Sequence, residues 1–193
     1  SNSNQITIPI SSSFTDIYNY NVDWGDGNIS NGLTSGTTHT YLSPGTYTVK
    51  INGLFPRINF YNSGDKQKLI TVAQWGNNHW TSMARAFYEA INMTVTATDT
   101  PDLSGVTDMS EMFSGAISFN TNINNWDVSN VTDMTGVFGT TYTYQTNIFN
   151  QPLDNWDVSN VTKMGWMFNG AAQFNQDISN WDVSNVTDMQ VMF

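Results

Sequence analysis

The chain has no cysteine. That excludes a disulfide-stapled small fold and a thiolate metal site, although it does not exclude secretion by a bacterium. Basic residues are also scarce: six Lys and Arg stand against sixteen Asp and Glu, a formal net charge of −10. They are unevenly placed. Residues 1–93 hold five acids and five bases, whereas residues 94–193 hold eleven acids and the single base Lys163, so the whole net charge falls on the second half. A surface of that sign repels phosphate backbones and anionic lipid, which argues against nucleic-acid and membrane-surface partners and favours basic proteins or cations. No apolar run is long enough to span a bilayer and no hydrophobic leader is present, so nothing in these residues targets or crosses a membrane.

Catalytic signatures are missing too. The two histidines are His39 and His79. Neither stands in a recognisable Ser-His-Asp setting, and without Cys a nucleophile has no candidate. Carboxylates are abundant but recur once per repeat, whereas a glycosidase singles out two in a cleft. Trp24-Gly25-Asp26-Gly27 reads as a turn between strands, not a phosphate loop.

What the chain does have is self-similarity. Trp-Asp-Val-Ser-Asn-Val-Thr-Asp-Met occupies 126–134 and 181–189, and 156–164 differs from it only at Lys163. Aligning the methionine eight residues after each tryptophan gives five registers: Trp75/Met83, Pro101/Met109, Trp126/Met134, Trp156/Met164 and Trp181/Met189. They are stepped by 26, 25, 30 and 25 residues. Units of 25–30 residues suit a leucine-rich-repeat coil of one strand and a short return. Ile123-Trp126-Val128, Leu153-Trp156-Val158 and Ile178-Trp181-Val183 fit the L-x-x-L-x-L strand. Met109/Met112/Phe113 and Met164/Met167/Phe168 have the i, i+3, i+4 spacing of a helical turn, with Ser, Thr, Asn or Asp upstream as caps. The tryptophans are expected to stack inside. Phe119-Asn120, Phe149-Asn150 and Phe174-Asn175 form a further column in which Asn bonds the backbone of the next coil.

With Met-Phe and Phe-Asn-Gln following, this phrase resembles the BspA-like repeats of bacterial surface proteins over residues 69–193. The resemblance implies a cell-surface location and adhesion to host or neighbouring-cell molecules. Val22-Asp23-Trp24-Gly25-Asp26-Gly27, His39-Thr40-Tyr41 and Pro44-Gly45-Thr46-Tyr47-Thr48-Val49 are similar to the signature of a PKD domain, a small immunoglobulin-like β-sandwich that serves other proteins as a spacer or presenter. Alternation of Tyr18, Tyr20, Val22 and Trp24 supports strands there independently.

The expected fold is thus an α/β solenoid of leucine-rich-repeat type, about five coils of 25–30 residues, behind a small N-terminal PKD-like β-sandwich. Its parts are a PKD-like β-domain over 1–54, a lead-in segment and first, capping coil over 55–93, and BspA-like repeats over 94–193 that break off inside a repeat. Such a break reads as part of a longer protein.

Binding is the expected role, and several residues are its candidates. Asp102, Asp127, Asp157 and Asp182 fall in register, with Asn125, Asn155 and Asn180 two residues before the last three. Three readings of the acids stay open: local bonds to the Ser-Asn turn that follows, a divalent cation between coils, or a surface for a cationic ligand. Trp166 stands two after Met164, where other coils place Arg85, Glu111 and Gly136, and an exposed contact anchor is expected there. The 30-residue step places Tyr142 and Tyr144 on a protruding loop nearby. Asp23 and Asp26 are candidate calcium ligands or plain turn residues, and calcium is the one cofactor considered. The function expected is non-catalytic cell-surface adhesion to a protein ligand, with a glycan-binding accessory module or a structural stalk as alternatives, outside a bacterial cell.

Overall fold

The structure is a computed structural model and describes residues 4–10, 15–61, 65–140 and 146–193. Regular elements among the described residues are seven short strands: β1 (Gln5–Thr7), β2 (Asn19–Asp23), β3 (Ile29–Leu33), β4 (Thr38–Thr40), β5 (Lys50–Leu54), β6 (Thr71–Val72) and β7 (Thr94–Val95), with one 3-10 turn at Lys66–Lys68. β2 is central to an antiparallel sheet β3-β2-β5, β1 pairs with β4 antiparallel, and β6 pairs with β7 in parallel. In β2 the alternation works as the pleat demands, burying Tyr20 and Val22 and exposing Asn19 and Asn21. Phe55 then packs edge-on against Tyr18, Tyr20 and Trp80, joining the strands to the first repeat. One apolar core runs from Ile8 to Trp181.

The α/β leucine-rich-repeat solenoid expected from the sequence is overturned. Among the described residues there is no α-helix, and the chain is essentially all-β with small sheets. The five N-terminal strands divide into a three-stranded and a two-stranded sheet in place of the expected sandwich. Two local features explain the correction in the repeats. The first lies in the Met-x-x-Met-Phe segments. The N–H groups of Met109, Glu111, Phe113 and Gly115 donate to the carbonyls of Asp133, Thr135, Val137 and Gly139 one repeat on, at 2.7–3.0 Å. Those of Met112, Ser114 and Ala116 turn back to Met109, Glu111 and Phe113 at 3.0–3.2 Å. Alternate donors therefore serve the neighbour and the local turn, whereas an α-helix needs all of them for its own i−4 carbonyls. Neighbouring repeats follow suit: Met83, Arg85, Phe87 and Glu89 donate to Asp108, Ser110, Met112 and Ser114, and Met164, Trp166 and Phe168 donate to Asp188, Gln190 and Met192.

This alternation requires a left-handed residue two places after each methionine: Arg85, Glu111, Gly136, Trp166 and Val191 have φ of 56, 54, 63, 64 and 52°. The second feature is in the expected strands. Trp126 N–H donates to Ile123 at 3.1 Å and Val131 to Val128 at 2.9 Å, so Ile-x-x-Trp and Val-x-x-Val are consecutive turns rather than an extended run. Regular pairing shrinks to single parallel bridges, Asp108 to Asp133 to Lys163 to Asp188.

Inside, identical positions form columns. Phe87, Phe113, Phe138, Phe168 and Phe193 stack in succession at ring separations of 5.5–6.0 Å. Phe119, Phe149 and Phe174 form a second column at 5.9 and 6.2 Å. The two are joined by Phe113–Phe119, Phe138–Phe149 and Phe168–Phe174 pairs at 3.9–4.0 Å. Each buried ring contributes roughly 1.5–3 kcal/mol from burial and a further 0.5–1.5 kcal/mol from stacking. Trp156 and Trp181 are buried and donate Nε1 to Ile123 and Leu153 of the preceding repeat. Where Pro101 replaces tryptophan, Trp75 and Trp126 meet across it at 5.3 Å.

Asn120 and Asn150 accept the N–H groups of Asn150 and Asn175 at 2.9 Å, the expected asparagine column. Asn130, Asn160 and Asn185 donate Nδ2 to Ser104, Ser129 and Ser159, and Thr132, Thr162 and Thr187 donate Oγ1 to Thr107, Thr132 and Thr162. Asn-x-Thr is thus a repeat-to-repeat clamp rather than a helix cap. At the start of the repeats, Phe60 N–H donates to Arg85 and Asn59 Nδ2 to Ala84, so residues 55–61 cover the first turn.

Position 136 has φ of 63°, and a β-carbon added there would meet only Cγ of Glu111, at 3.4 Å, so the cost of a side chain is conformational. Gly136→Val is expected to lower stability by about 1–2 kcal/mol, read as a shift of the urea midpoint at unchanged slope; an unchanged midpoint would show that the left-handed turn is not demanded.

Candidate binding surface

The acid column is built by the turn that follows each repeat's tryptophan. Asp127 Oδ1 accepts Ser129 N–H at 3.1 Å and Ser129 Oγ at 2.6 Å. Asp157 does the same with Ser159 at 3.0 and 2.6 Å, and Asp102 with Ser104 at 3.0 and 2.6 Å. Asp182 accepts Ser184 N–H at 3.0 Å. Of the three readings left open, local turn bonding is therefore realised in all four repeats. The serine bonds hold the carboxyls of Asp102, Asp127, Asp157 and Asp182 below the ordinary carboxylate range, the Ser side chain first and its backbone second.

Turn bonding occupies one oxygen and leaves the other. Oδ2 of Asp127, Asp157 and Asp182 lies outside these bonds, whereas that of Asp102 meets His79 Nδ1. The charges feel one another: Asp157 opposes ionisation of Asp127, and Asp182 opposes that of Asp157. The serine bonds outweigh this repulsion, so the row is ionised and fixed in direction. Its asparagines are less uniform. Asn155 N–H donates to Asn124 Oδ1 and Asn180 Nδ2 donates to Asp154 O, while Asn125 is exposed. They brace the turns rather than gather at a common point.

A second charged column escaped the sequence reading. Asp108, Asp133, Lys163 and Asp188 are joined by the parallel bridges, each immediately before its methionine. Lys163 Nζ lies 2.9 Å from Asp133 Oδ2, and that bond, then the charges of Asp133, Asp108 and Asp188, raise its pKa. The signal was the lone Asp-to-Lys difference between copies. The one base of the second half is thereby committed to its own column and leaves the outer row without a counter-charge.

Trp166 is 48% exposed. Tyr142 and Tyr144 lie outside the described residues. Asn147, also missed, is buried and anchors the return of that longer repeat, donating Nδ2 to Phe138 O and accepting Phe149 N–H. In the N-terminal region, Asp23 accepts Gly25 N–H, and Asp26 accepts Asn28 N–H and pairs with His39 Nε2 at 2.8 Å. The His39 bond holds the Asp26 carboxyl at about 2. Both acids thus serve turns, and among the described residues no group of three or more His, Asp or Glu is placed to hold a metal ion. His79 and Ser104 both touch Asp102, which puts the carboxylate between them and leaves the hydroxyl without a base.

Carboxyls depressed on folding stabilise the chain above their ordinary value of 3.8 and lose that contribution as pH falls through the lower folded values. Replacing Ser129 and Ser159 by alanine removes the largest cause, so the Asp127 and Asp157 midpoints, followed by carbon-13 NMR of the carboxyls, are expected to rise toward 3.8. Midpoints that stay put would mean that the serine bonds do not set the row.

Among the described residues no helix is long and apolar enough to cross a membrane. No curated protein and no solved structure matches the chain. A family model described as "Mycoplasma protein of unknown function, DUF285" matches residues 81–193, which takes in the ring columns, both charged columns and the left-handed row. Since that match covers more than half of its residues, the chain belongs to the DUF285 family.

Proposed function

We propose that the chain is a non-catalytic binding module of a bacterial cell surface, BspA-like in its repeats and PKD-like in its first strands, that holds basic protein partners against the outer acid row. The observation that carries this reading is the state of Asp127, Asp157 and Asp182: turned outward by serine, depressed in pKa and lacking a basic neighbour among the described residues. Strand-like stacking spaces such groups about 4.8 Å apart, close enough for one flexible cationic segment to touch several at once. Rigidity adds to this, because the turn bonds are made before a partner arrives and little ordering remains to oppose association. The family match supports the repeat half of the reading, and the strand pattern around Asp23 and Tyr47 is what favours the PKD-like half.

Asp127→Asn, Asp157→Asn and Asp182→Asn together keep the acceptor oxygen and remove the charge. Three exposed ion contacts at roughly 0.2–1 kcal/mol each amount to about tenfold in affinity. Titrated by calorimetry with an octalysine peptide, the wild-type chain is expected to bind with a strong salt dependence and the triple variant to lose about that factor. Equal binding by both, or binding insensitive to salt, would remove the acid row from the function.

A further inference from the structure

The left-handed row contains an anomaly that folding does not explain. Each residue two after a methionine has positive φ, a conformation that suits glycine, and Gly136 meets the demand. Trp166, in the next repeat, is a bulky side chain at φ 64°, and it recovers little by burial, being 48% exposed. A residue that strains the backbone and stays half in water is maintained by something other than the core.

Its surroundings define a slot. Backbone bonds place Glu111, Gly136 and Trp166 in direct succession: Glu111 donates to Thr135, Gly136 to Gly165 and Trp166 to Gln190. Gly136 lacks a side chain, so Glu111 and Trp166 face each other across one empty repeat, roughly 10 Å apart at two strand spacings. The Glu111 wall is held rigid by Arg85, whose Nε and Nη2 reach the two carboxylate oxygens at 2.7 and 3.3 Å, and whose guanidinium sits 4.0 Å from the ring centre of Tyr61. The slot is therefore locally neutral although the repeats are acidic. Its walls are an indole face on one side and paired hydrogen-bonding groups on the other, over a backbone floor.

From this geometry we infer a saccharide subsite: a neutral pyranose ring lies in the notch over Gly136, with its C–H face on Trp166 and its hydroxyl groups on Glu111 and Arg85. The chemistry fits one ligand class. A pyranose has an apolar C–H face that packs on an indole and an edge of hydroxyls that both donate to a carboxylate and accept from a guanidinium. A cationic peptide would find no free charge here, since Glu111 is already paired. The inference rests on the reading of the chain as a binding module but uses a surface separate from the acid row.

The test is a nitrogen-15 NMR titration of the whole chain with neutral gluco-, galacto- and manno-configured tetrasaccharides, following the indole Nε1–H of Trp166. At least one sugar is expected to shift that signal saturably at millimolar concentration. Trp166→Phe is expected to retain binding. Trp166→Gly is expected to raise the thermal midpoint, by relieving the strained position, and to weaken binding at least tenfold. Gly136→Val closes the notch, and because that variant is also less stable, Trp166→Gly carries the decision. The triple Asp→Asn variant of the acid row is expected to bind the sugar as the wild type does. No shift with any of the sugars, undiminished binding by Trp166→Gly, or loss in the acid-row variant instead would each overturn the subsite.

Discussion

The division of backbone donors between neighbour and turn governs the repeat half of this protein. Where Met109, Glu111 and Phe113 donate forward, their carbonyl partners one repeat on are held at a fixed height, and every equivalent side chain is brought over its counterpart. The ring columns, the asparagine column and both charged columns follow from that register. So does the left-handed residue after each methionine, because the turn closed by Met112 onto Met109 leaves Glu111 at φ 54°. A single backbone rule thus sets what is buried and what is displayed.

Burial and display are energetically separate, and that bears on function. The phenylalanine columns, together with the buried Met and Trp side chains, supply the stabilisation; each ring outweighs an exposed carboxylate contact several-fold. Outer positions such as 111, 136 and 166 are consequently free to differ between repeats while the core stays uniform. In this chain they hold Glu, Gly and Trp. The same separation lets Asp127, Asp157 and Asp182 repeat one charge in successive turns, since the serine bonds and not the core absorb their mutual repulsion.

Much of this was legible in the sequence, and the failures have physical causes. The methionine register, the inward tryptophans, the asparagine column and the serine turn after Asp127 all depend on side-chain type at a fixed spacing, which one sequence displays. The helical return did not survive because i, i+3, i+4 spacing of Met109, Met112 and Phe113 is equally met by a turn with a left-handed residue between them. Glu111 and Trp166 give no local sign of positive φ, whereas Gly136 in the same register did, and reading the row from Gly136 outward would have exposed the conflict. Ile123-x-x-Trp126-x-Val128 misled likewise, since an i to i+3 turn brings Ile and Trp to one face as well as a strand and bend does. The Asp108, Asp133, Lys163, Asp188 column was hidden because its residues look like ordinary surface positions one at a time and acquire meaning only when stacked.

Everything displayed on the repeats depends on the alternating donors, and scalar couplings across hydrogen bonds report them one at a time. A long-range HNCO experiment on the labelled chain is predicted to correlate the amide nitrogens of Met109, Glu111 and Phe113 with the carbonyl carbons of Asp133, Thr135 and Val137, and that of Met112 with Met109. Correlations running instead from each amide to the carbonyl four residues earlier would restore the helical return and contradict the alternation.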